Sequence, residues 1–562
     1  MNKLKMIRDK KILSQKEDEV WLVYPPSIPP NGPGYYHIYP SLPILAGSLK
    51  KECKNVSQLN FHNEFLEWLF KSSYYNDFIS IAYETISNLQ KKSKLNQKEK
   101  YFYKNLKRLC ELDSNFKKNN FLSSELIRLI TSMIETKNNP KNGYEIEEML
   151  NCPDELNDLM ISFYNYFFFN KTHKKPLFVG ISIPMGAQLL PAMHFINWFK
   201  KNLWPDVPIF FGGPFITLLK NELQELIIKK SNLKGLVLYE GEEAIVKIYK
   251  QLKSKAPDWN QVPNLVYLDK EKLTKSSSRP KLSLNDYPSP FYEKEMIKRW
   301  KINRLAVLQS RKCYWGKCSY CEYQNIYQRH LCKKPEILVS EMNELSKLTG
   351  ISHFVLTGDC ISPAYSIALS KEIIKQKENL TWESYIRVDN NYNIPTFQLM
   401  AQGGCTKIQA GIESFDTKPL KRANKGYNGP VALDFLKRLI SSQLKFGINI
   451  ILDLPGTSYE SALKQYNLIK PIIFQAKNLE LLQVFRFVLL RSSMMGKEPE
   501  KYNIDICDNW NNIGSLGCML NELPFQDSEG MTEKQKKEME KKYKTVTKKL
   551  SFSLKNSDKK SC

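Results

Sequence analysis

The chain has no run of ~18 apolar residues of the kind that spans a bilayer, so no membrane helix is expected. The stretch from Met1 to Asp18 is charged and has no apolar core, so export through a signal peptide is not expected either. Cysteine is sparse, with 12 in 562 residues, and partly clustered. That excludes a disulfide-stapled scaffold and favours reduced thiols in a cytoplasm. The markers of a nucleic-acid binder are missing too: no aromatic pair of an RNA-recognition module, no zinc-finger His pair, no helix-turn-helix. A formal charge of +25 would otherwise invite that reading. Lys and Asn, however, are abundant along the whole chain, and the densest basic run, Lys534 to Lys560, reads as an exposed helix with a frayed end. Nucleic acid and membrane are therefore not expected partners. An acidic peptide or a phosphorylated substrate remains compatible with the charge.

What is present is length for more than one domain, each with a sizeable core, and one dense run of thiols. Arg311-Lys312-Cys313-Tyr314-Trp315-Gly316-Lys317-Cys318-Ser319-Tyr320-Cys321 follows the apolar run Leu305-Ala306-Val307-Leu308. Three soft ligands on one short loop can converge on iron or zinc. Most structural zinc and iron–sulfur sites add a fourth thiol, but the next one here is Cys332. Three near ligands leave one coordination position for a substrate or cofactor. On these residues alone, half a zinc knuckle or a few buried thiols remain alternatives.

Downstream, His353-Phe354-Val355-Leu356-Thr357-Gly358-Asp359 reads as a buried strand ending in a polar turn, and Trp382 to Asp389 as another strand. Lys407-Ile408-Gln409-Ala410-Gly411-Ile412-Glu413-Ser414 and Phe446-Gly447-Ile448 to Leu454-Pro455-Gly456-Thr457 continue the pattern. Ligand sites at the carboxyl ends of such parallel strands follow the general α/β rule.

The N-terminal half also alternates strands and helices. Val20 to Tyr24 is a strand followed by Pro25-Pro26, and the Pro/Gly-rich Ile28 to Tyr39 is a loop. Leu42 to Lys51 reads as a helix and Val56 to Phe61 as a strand. Leu177 to Ile183, Pro208 to Phe211 before Gly212-Gly213-Pro214, and Leu236 to Leu238 before Tyr239-Glu240-Gly241-Glu242 are further strands. The alternation predicts a parallel, doubly wound sheet, whose glycines let backbone approach a ligand. Between these strands, Asn63 to Lys175 carries apolar residues at helical spacing, as in Leu126, Leu129, Ile130 and Met133, and reads as a helical insertion.

The cysteine run resembles the cluster loop of the radical SAM enzymes, in which three cysteines hold a [4Fe–4S] cluster whose fourth iron binds S-adenosylmethionine (SAM). The resemblance assigns Cys313, Cys318 and Cys321 to the cluster, with Tyr320 as the aromatic residue before the last cysteine. Most members have three residues between the first two cysteines; this chain has four, and longer gaps occur in the family. The resemblance also implies SAM contacts from Asp359 (amino group), Arg387 (a carboxylate), and Glu413 and Ser414 (ribose or carboxylate), with the 454–457 turn beside the adenine. The N-terminal half resembles the cobalamin-binding domain of one radical SAM subfamily, which implies cobalamin contacts from Pro25, Ser182, Gly212, Gly213, Glu240, Gly241 and Glu242. Residues 262–267 resemble the linker that follows. The Asp-x-His-x-x-Gly signature that supplies a lower cobalt ligand elsewhere is absent, as in many members of the subfamily.

The fold implied is a Rossmann-like, doubly wound cobalamin-binding domain over residues 1–290 with a helical insertion at 63–175. A partial (β/α)6 radical SAM barrel of TIM type would follow over 291–500, and a short helical region over 501–562. The function implied is a cobalamin-dependent C-methyltransferase acting on a peptide or secondary metabolite, supplied with electrons by a reductase or flavodoxin-type donor. The alternatives are a radical SAM cyclase or rearrangement enzyme without methyl transfer, and a non-catalytic metal-binding protein associated with RNA. Cys507 and Cys518 are candidate thiol donors or auxiliary ligands, with semi-buried structural thiols as the plainer reading.

Overall fold

The structure is a computed structural model that describes residues 18–26, 39–119, 125–127, 130, 145, 146, 148, 155–169, 173–281, 283–442, 444–507 and 521–558. The Met1–Asp18 stretch except Asp18, the 28–38 part of the Pro/Gly loop, Leu129 and Met133 of the insertion, the end of the basic tail and Cys518 lie outside the described residues. Two compact units divide at Pro280 and Lys281. Among the described residues no helix is long and apolar enough to cross a membrane.

The first unit is built on a seven-stranded sheet in the order β2-β1-β3-β4-β5-β6-β7. Its strands are β1 (Glu19–Tyr24), β2 (Asn55–Asn60), β3 (Phe178–Ser182), β4 (Ile209–Gly212), β5 (Gly235–Val237), β6 (Leu265–Asp269) and β7 (Lys272–Lys275). The first five pair in parallel and the last two join antiparallel. The order 2-1-3-4-5 is a doubly wound arrangement, in which ligands meet the carboxyl ends of the strands. β1 is buried along Val20, Trp21, Leu22 and Val23 because helices cover both faces of a parallel sheet. The 262–267 linker differs from expectation. Leu265 and Val266, both 1% exposed, extend the sheet as β6, because a short apolar run beside an open strand edge satisfies that edge.

Helices α1 (Ser41–Leu49), α2 (Phe61–Lys71), α3 (Ser73–Gln90), α4 (Gln97–Asn119) and α5 (Glu155–Phe169) come before β3, followed by α6 (Leu189–Asn202), α7 (Asn221–Lys230) and α8 (Glu242–Lys253). α2 to α5 lie in the described part of the helical insertion. Its apolar spacing buries an aromatic core in which Phe61 of α2 meets Phe195 of α6 edge-to-face at 5.0 Å, with Phe163, Tyr164 and Phe168 around it. Such pairs contribute about 0.5–1.5 kcal/mol each beyond area burial, so the insertion is fastened to α6 by ring packing.

The second unit holds six parallel strands in sequential order: β8 (Leu305–Leu308), β11 (His353–Thr357), β12 (Thr381–Arg387), β13 (Cys405–Glu413), β14 (Lys445–Ile451) and β15 (Leu479–Phe485). A hairpin of β9 (Ser310–Arg311) and β10 (Leu331–Cys332) interrupts the series. The edge strands β8 and β15 do not pair, so the sheet is an open, partial barrel. Helices α9 (Pro335–Thr349), α10 (Pro363–Gln376), α11 (Ile394–Gln402), α12 (Gly429–Ser441) and α13 (Tyr459–Gln475) follow the strands in turn. One face is fully buried through Phe354, Trp382, Ile408, Ala410, Phe446 and Ile448. Alternation along each strand puts polar groups on the opposite face: Gln409 donates to Asn449 at 2.7 Å across Gly447, where a Cβ would meet the Gln409 oxygen at 2.0 Å.

The region 501–562, expected to be helical, contains strands first. β17 (Ile504–Ile506) pairs with β19 (Phe525–Asp527), and β18 (Glu522–Leu523) pairs with β16 (Leu489–Leu490) of the preceding segment, before the long helix α14 (Glu533–Asp558). Ile504, Leu489 and Phe487 bury there with Met495 and Leu454, and apolar burial of this kind overrides the weak local signal of such short segments.

At the amino end of β11, His353 shares a hydrogen bond with Thr381 at 2.9 Å and lies 3.9 Å from Glu383. Burial pushes its pKa below the ordinary 6.5, with Glu383 opposing and Arg304 assisting. The unfolded chain therefore takes up this proton first, and stability is lost as pH falls below about 6.5. Replacing His353 by Gln is expected to flatten that part of the stability–pH curve, measured as the urea midpoint across the acid range.

Candidate active site

The cysteine loop leaves β9 through Lys312, whose φ of 63 turns the chain left-handed, and returns along β10. Distant segments hold it. Ser319 donates its N–H to Ala423 O at 3.0 Å and its hydroxyl to Arg422 O at 2.8 Å. Met495 N–H donates to Ser319 O at 2.9 Å, and the Trp315 indole donates to Asn424 O at 2.9 Å. Trp315 lies so close over Gly426 (φ 77) that a Cβ there would meet its ring at 2.3 Å, so the turn after β13 takes glycine at this position.

Cys313, Cys318 and Cys321 are all half-buried. The Cys313 thiol is pulled down to about 5, first by a hydrogen bond from the Cys360 thiol, which outweighs burial, and then by the N–H groups of Gly316 and Trp315 and the Lys425 ammonium. Burial raises Cys318, and pushes Cys321 up to about 12. Among the described residues no three His, Cys, Asp or Glu side chains meet as ligands of a single metal ion. A [4Fe–4S] cube binds each thiolate on its own iron, so its ligands stand further apart than those of one ion.

Asp359, just past β11, accepts the N–H of Cys313. Its Oδ2 is buried with no hydrogen-bond partner, and burial together with Cys313 pushes the carboxyl up to about 7 against Arg311. Glu413 ends β13 at a bulge, with φ 66, and its Oε1 lies 3.4 Å from Lys425 Nζ. Lys425 is 4% exposed. Burial would lower its pKa, but the facing Tyr320, Tyr427 and Glu413 hold it well above the ordinary value. Its ammonium also lies 3.4 Å from the Tyr320 hydroxyl. Arg387, at the end of β12, stacks over Trp315 at 4.2 Å, near Tyr427 and Tyr314, donates to the Lys425 carbonyl and stands 3.9 Å from Asp389.

The structure thus gathers Cys313, Cys318, Cys321, Tyr320, Asp359, Arg387 and Glu413 at the carboxyl end of one sheet. Ser414 is turned elsewhere: its hydroxyl donates to Gln465 of α13 at 2.9 Å. In the 454–457 turn, Gly456 has φ 91 and donates to Asp527 at 2.7 Å, while Thr457 Oγ1 is buried without a partner. Cys507 is half-buried with its N–H on Pro524 O. Sequence reasoning missed Cys360 and Lys425. A lysine among 83 Lys and Arg residues carries no signal of its own; the glycine that follows it was the available hint.

In the first unit, the residues implied for cobalamin sit where β1, β3, β4 and β5 end. Pro25 is buried after β1, Ser182 pairs with Gly212, and Gly212 pairs with Val237. Glu240 and Glu242 are 1% and 2% exposed, and Gly241 starts α8. At Gly213 (φ 105) a Cβ would meet Ile183 O at 2.6 Å, so the protein's own backbone already demands glycine there.

Similarity to solved structures extends over both units. A radical SAM methyltransferase, TsrM, from Kitasatospora setae, solved with cobalamin and a [4Fe–4S] cluster bound, is 14% identical; the match covers 88% of this chain and 81% of that one, with TM-score 0.56. The chain has the fold of the cobalamin-dependent radical SAM enzymes. The cobalamin-dependent SAM radical enzyme OxsB, solved with aqua-cobalamin and SAM, is 13% identical over 96% of this chain and 72% of its own, with TM-score 0.59. Among curated proteins, an uncharacterised methyltransferase of Pyrococcus horikoshii is 24% identical over 284 residues, 49% of this chain. The match spans 59% of that relative's length. No family model matches the sequence. The two-domain radical SAM fold expected from the motifs is the fold observed.

Proposed function

We propose that this chain is a cobalamin-dependent radical SAM enzyme that transfers a methyl group to carbon of a peptide or secondary metabolite, drawing electrons from a reductase or flavodoxin-type donor. The observation that carries the reading is the donor set on one loop: three half-buried thiols beside the buried Lys425 ammonium, with the unpartnered Asp359 Oδ2 at the same strand ends. Soft thiolates suit iron, and a buried cation offsets the negative charge that such ligands accumulate.

Cys313, Cys318 and Cys321 would hold the cluster, with Cys360 donating a hydrogen bond to the Cys313 sulfur. Asp359 offers an acceptor for the SAM amino group, and Arg387 and Lys425 offer cationic partners for its carboxylate. Tyr320, Tyr427 and Trp315 wall these charges from water and so strengthen each interaction. Cobalamin would meet the carboxyl edge of the first sheet at Pro25, Ser182, Gly212, Gly213, Glu240, Gly241 and Glu242. When bound, these groups supply reductive SAM cleavage and a transferable methyl group; the protein orients and shields them.

Anaerobic reconstitution with iron, sulfide and hydroxocobalamin, followed by metal counts, tests the assignment. About four irons per chain, with cobalt in a one-to-one ratio, are expected, and product mass should rise by one CH2. Iron without cobalt would sink methyl transfer from cobalamin and leave a radical SAM enzyme without it.

A further inference from the structure

A second grouping of reactive side chains lies on the hairpin that returns from the cysteine loop. His330 Nδ1 stands 2.7 Å from the Lys312 carbonyl oxygen, and Cys332 Sγ stands 3.2 Å from His330 Nε2. A carbonyl only accepts, so the proton of the neutral ring belongs on Nδ1. Nε2 then presents its lone pair to the thiol. The β9–β10 pairing of Arg311 with Leu331 and Ser310 with Cys332 sets the spacing of the three groups.

Gln309 Nε2 lies 3.8 Å from the same Sγ, and this amide reaches the Tyr365 hydroxyl. Gln309 is 1% exposed, and its Oε1 is buried without a hydrogen-bond partner. Ser310, 3% exposed and opposite Cys332, leaves its hydroxyl unpartnered as well. Leaving such groups unpaired is costly, and buried polar atoms in that condition are uncommon. Polar groups beside this thiol are thus not settled by the protein's own bonds. Cys332 is half-buried and His330 exposed, so a reagent can reach the pair.

A nucleophile, a base in hydrogen-bond reach and a third group orienting the base are the parts that activate a weak nucleophile. Burial holds the Cys332 thiol above its ordinary value, with Gln309 opposing, so the sulfur relies on a base to lose its proton. We propose that Cys332 and His330 form a base-activated thiol that adds to conjugated carbonyl electrophiles, with the Gln309 amide steadying the sulfur. In the addition, a bond forms between Sγ and the β-carbon and the carbon–carbon π bond breaks. The thiol proton passes to Nε2 and from there to the α-carbon. No group leaves, and nothing is oxidised or reduced by an outside reagent. Because His330 also holds the Lys312 carbonyl, an adduct at Cys332 acts through a single side chain on the residue next to Cys313. The proposal does not depend on the methyl-transfer reading.

The test uses the full-length, anaerobically reconstituted protein and N-ethylmaleimide, with the adduct at each cysteine followed by peptide mass mapping. Cys332 is expected to react faster than Cys507, the half-buried reference thiol. His330→Gln should slow Cys332 on the order of 10²-fold, the lower end of general-base effects, while the rate at Cys507 stays unchanged. Equal rates at Cys332 and Cys507 in the unaltered protein, or a Cys332 rate unmoved by His330→Gln, overturn the proposal. If His330→Gln also speeds Cys507, the region has opened, and Gln309→Leu decides instead. A several-fold slower Cys332 in that variant supports the pair, and an unchanged rate overturns it.

Discussion

Changing Cys313, Cys318 and Cys321 together to Ala is expected to abolish iron retention, from about four atoms per chain to none, and to bring SAM cleavage down to the level without enzyme. The other described thiols do not form such a set. Cys53, Cys110 and Cys405 are buried elsewhere, Cys360 meets the single thiol Cys313, Cys332 faces His330, and Cys507 follows β17. The loop itself should survive, because its anchors are hydrogen bonds from the Ser319 hydroxyl and N–H to Arg422 and Ala423 and from the Trp315 indole to Asn424, which the substitutions leave intact. Iron and SAM cleavage are measured beside cobalt, which binds elsewhere on the proposed reading. Cobalt retained with iron lost separates the two sites. Iron retained in the triple variant would overturn the role given to the loop.

Replacing Lys425 by Met should destabilise the cluster-free protein by about 3–5 kcal/mol, the usual cost of removing one partner of a buried ion pair. The ammonium is 5% exposed at the side chain and Glu413 is 13% exposed, so neither charge is well solvated once the other is gone. Contacts of the ammonium with the rings of Tyr320 and Tyr427, 5.8 Å and 5.9 Å away, add to the loss. The double variant Lys425→Met with Glu413→Gln should recover much of the difference, because it leaves no carboxylate stranded. Urea midpoints of the four proteins give the coupling directly. A single variant with an unshifted midpoint would show that water, not Glu413, carries the charge.

Much of the site was legible in the chain because its parts are local. The spacing of three thiols is a property of one loop, and β11, β12 and β13 announce themselves through alternating buried side chains such as Phe354, Trp382 and Ile408. Each ends in the carboxylate or guanidinium that sequence reasoning singled out: Asp359, Arg387 and Glu413. Ser414 shows where that reasoning stops. Its place beside Glu413 is local, yet its hydroxyl is turned by Gln465, which lies on α13, past the next strand β14. The same holds for the pieces read as a linker and a helical tail. Leu265 and Val266 became a strand because an open edge at β5 was waiting, and the segments around Ile504 and Phe525 paired because a shared apolar cluster buried them.

By itself the sequence determined the ligand types, the alternation of strand and helix in both units, and the order in which strand ends deliver their polar residues. Only the tertiary structure decided that Cys360 would meet Cys313, that Lys425 would be buried against Glu413 and Tyr320, and that His330 would stand between Lys312 and Cys332. The physical reason is distance along the chain. Periodicity sets which face a side chain takes within its own element, whereas the partner it meets depends on which remote segments pack together. In a low-dielectric interior that partner also sets its charge.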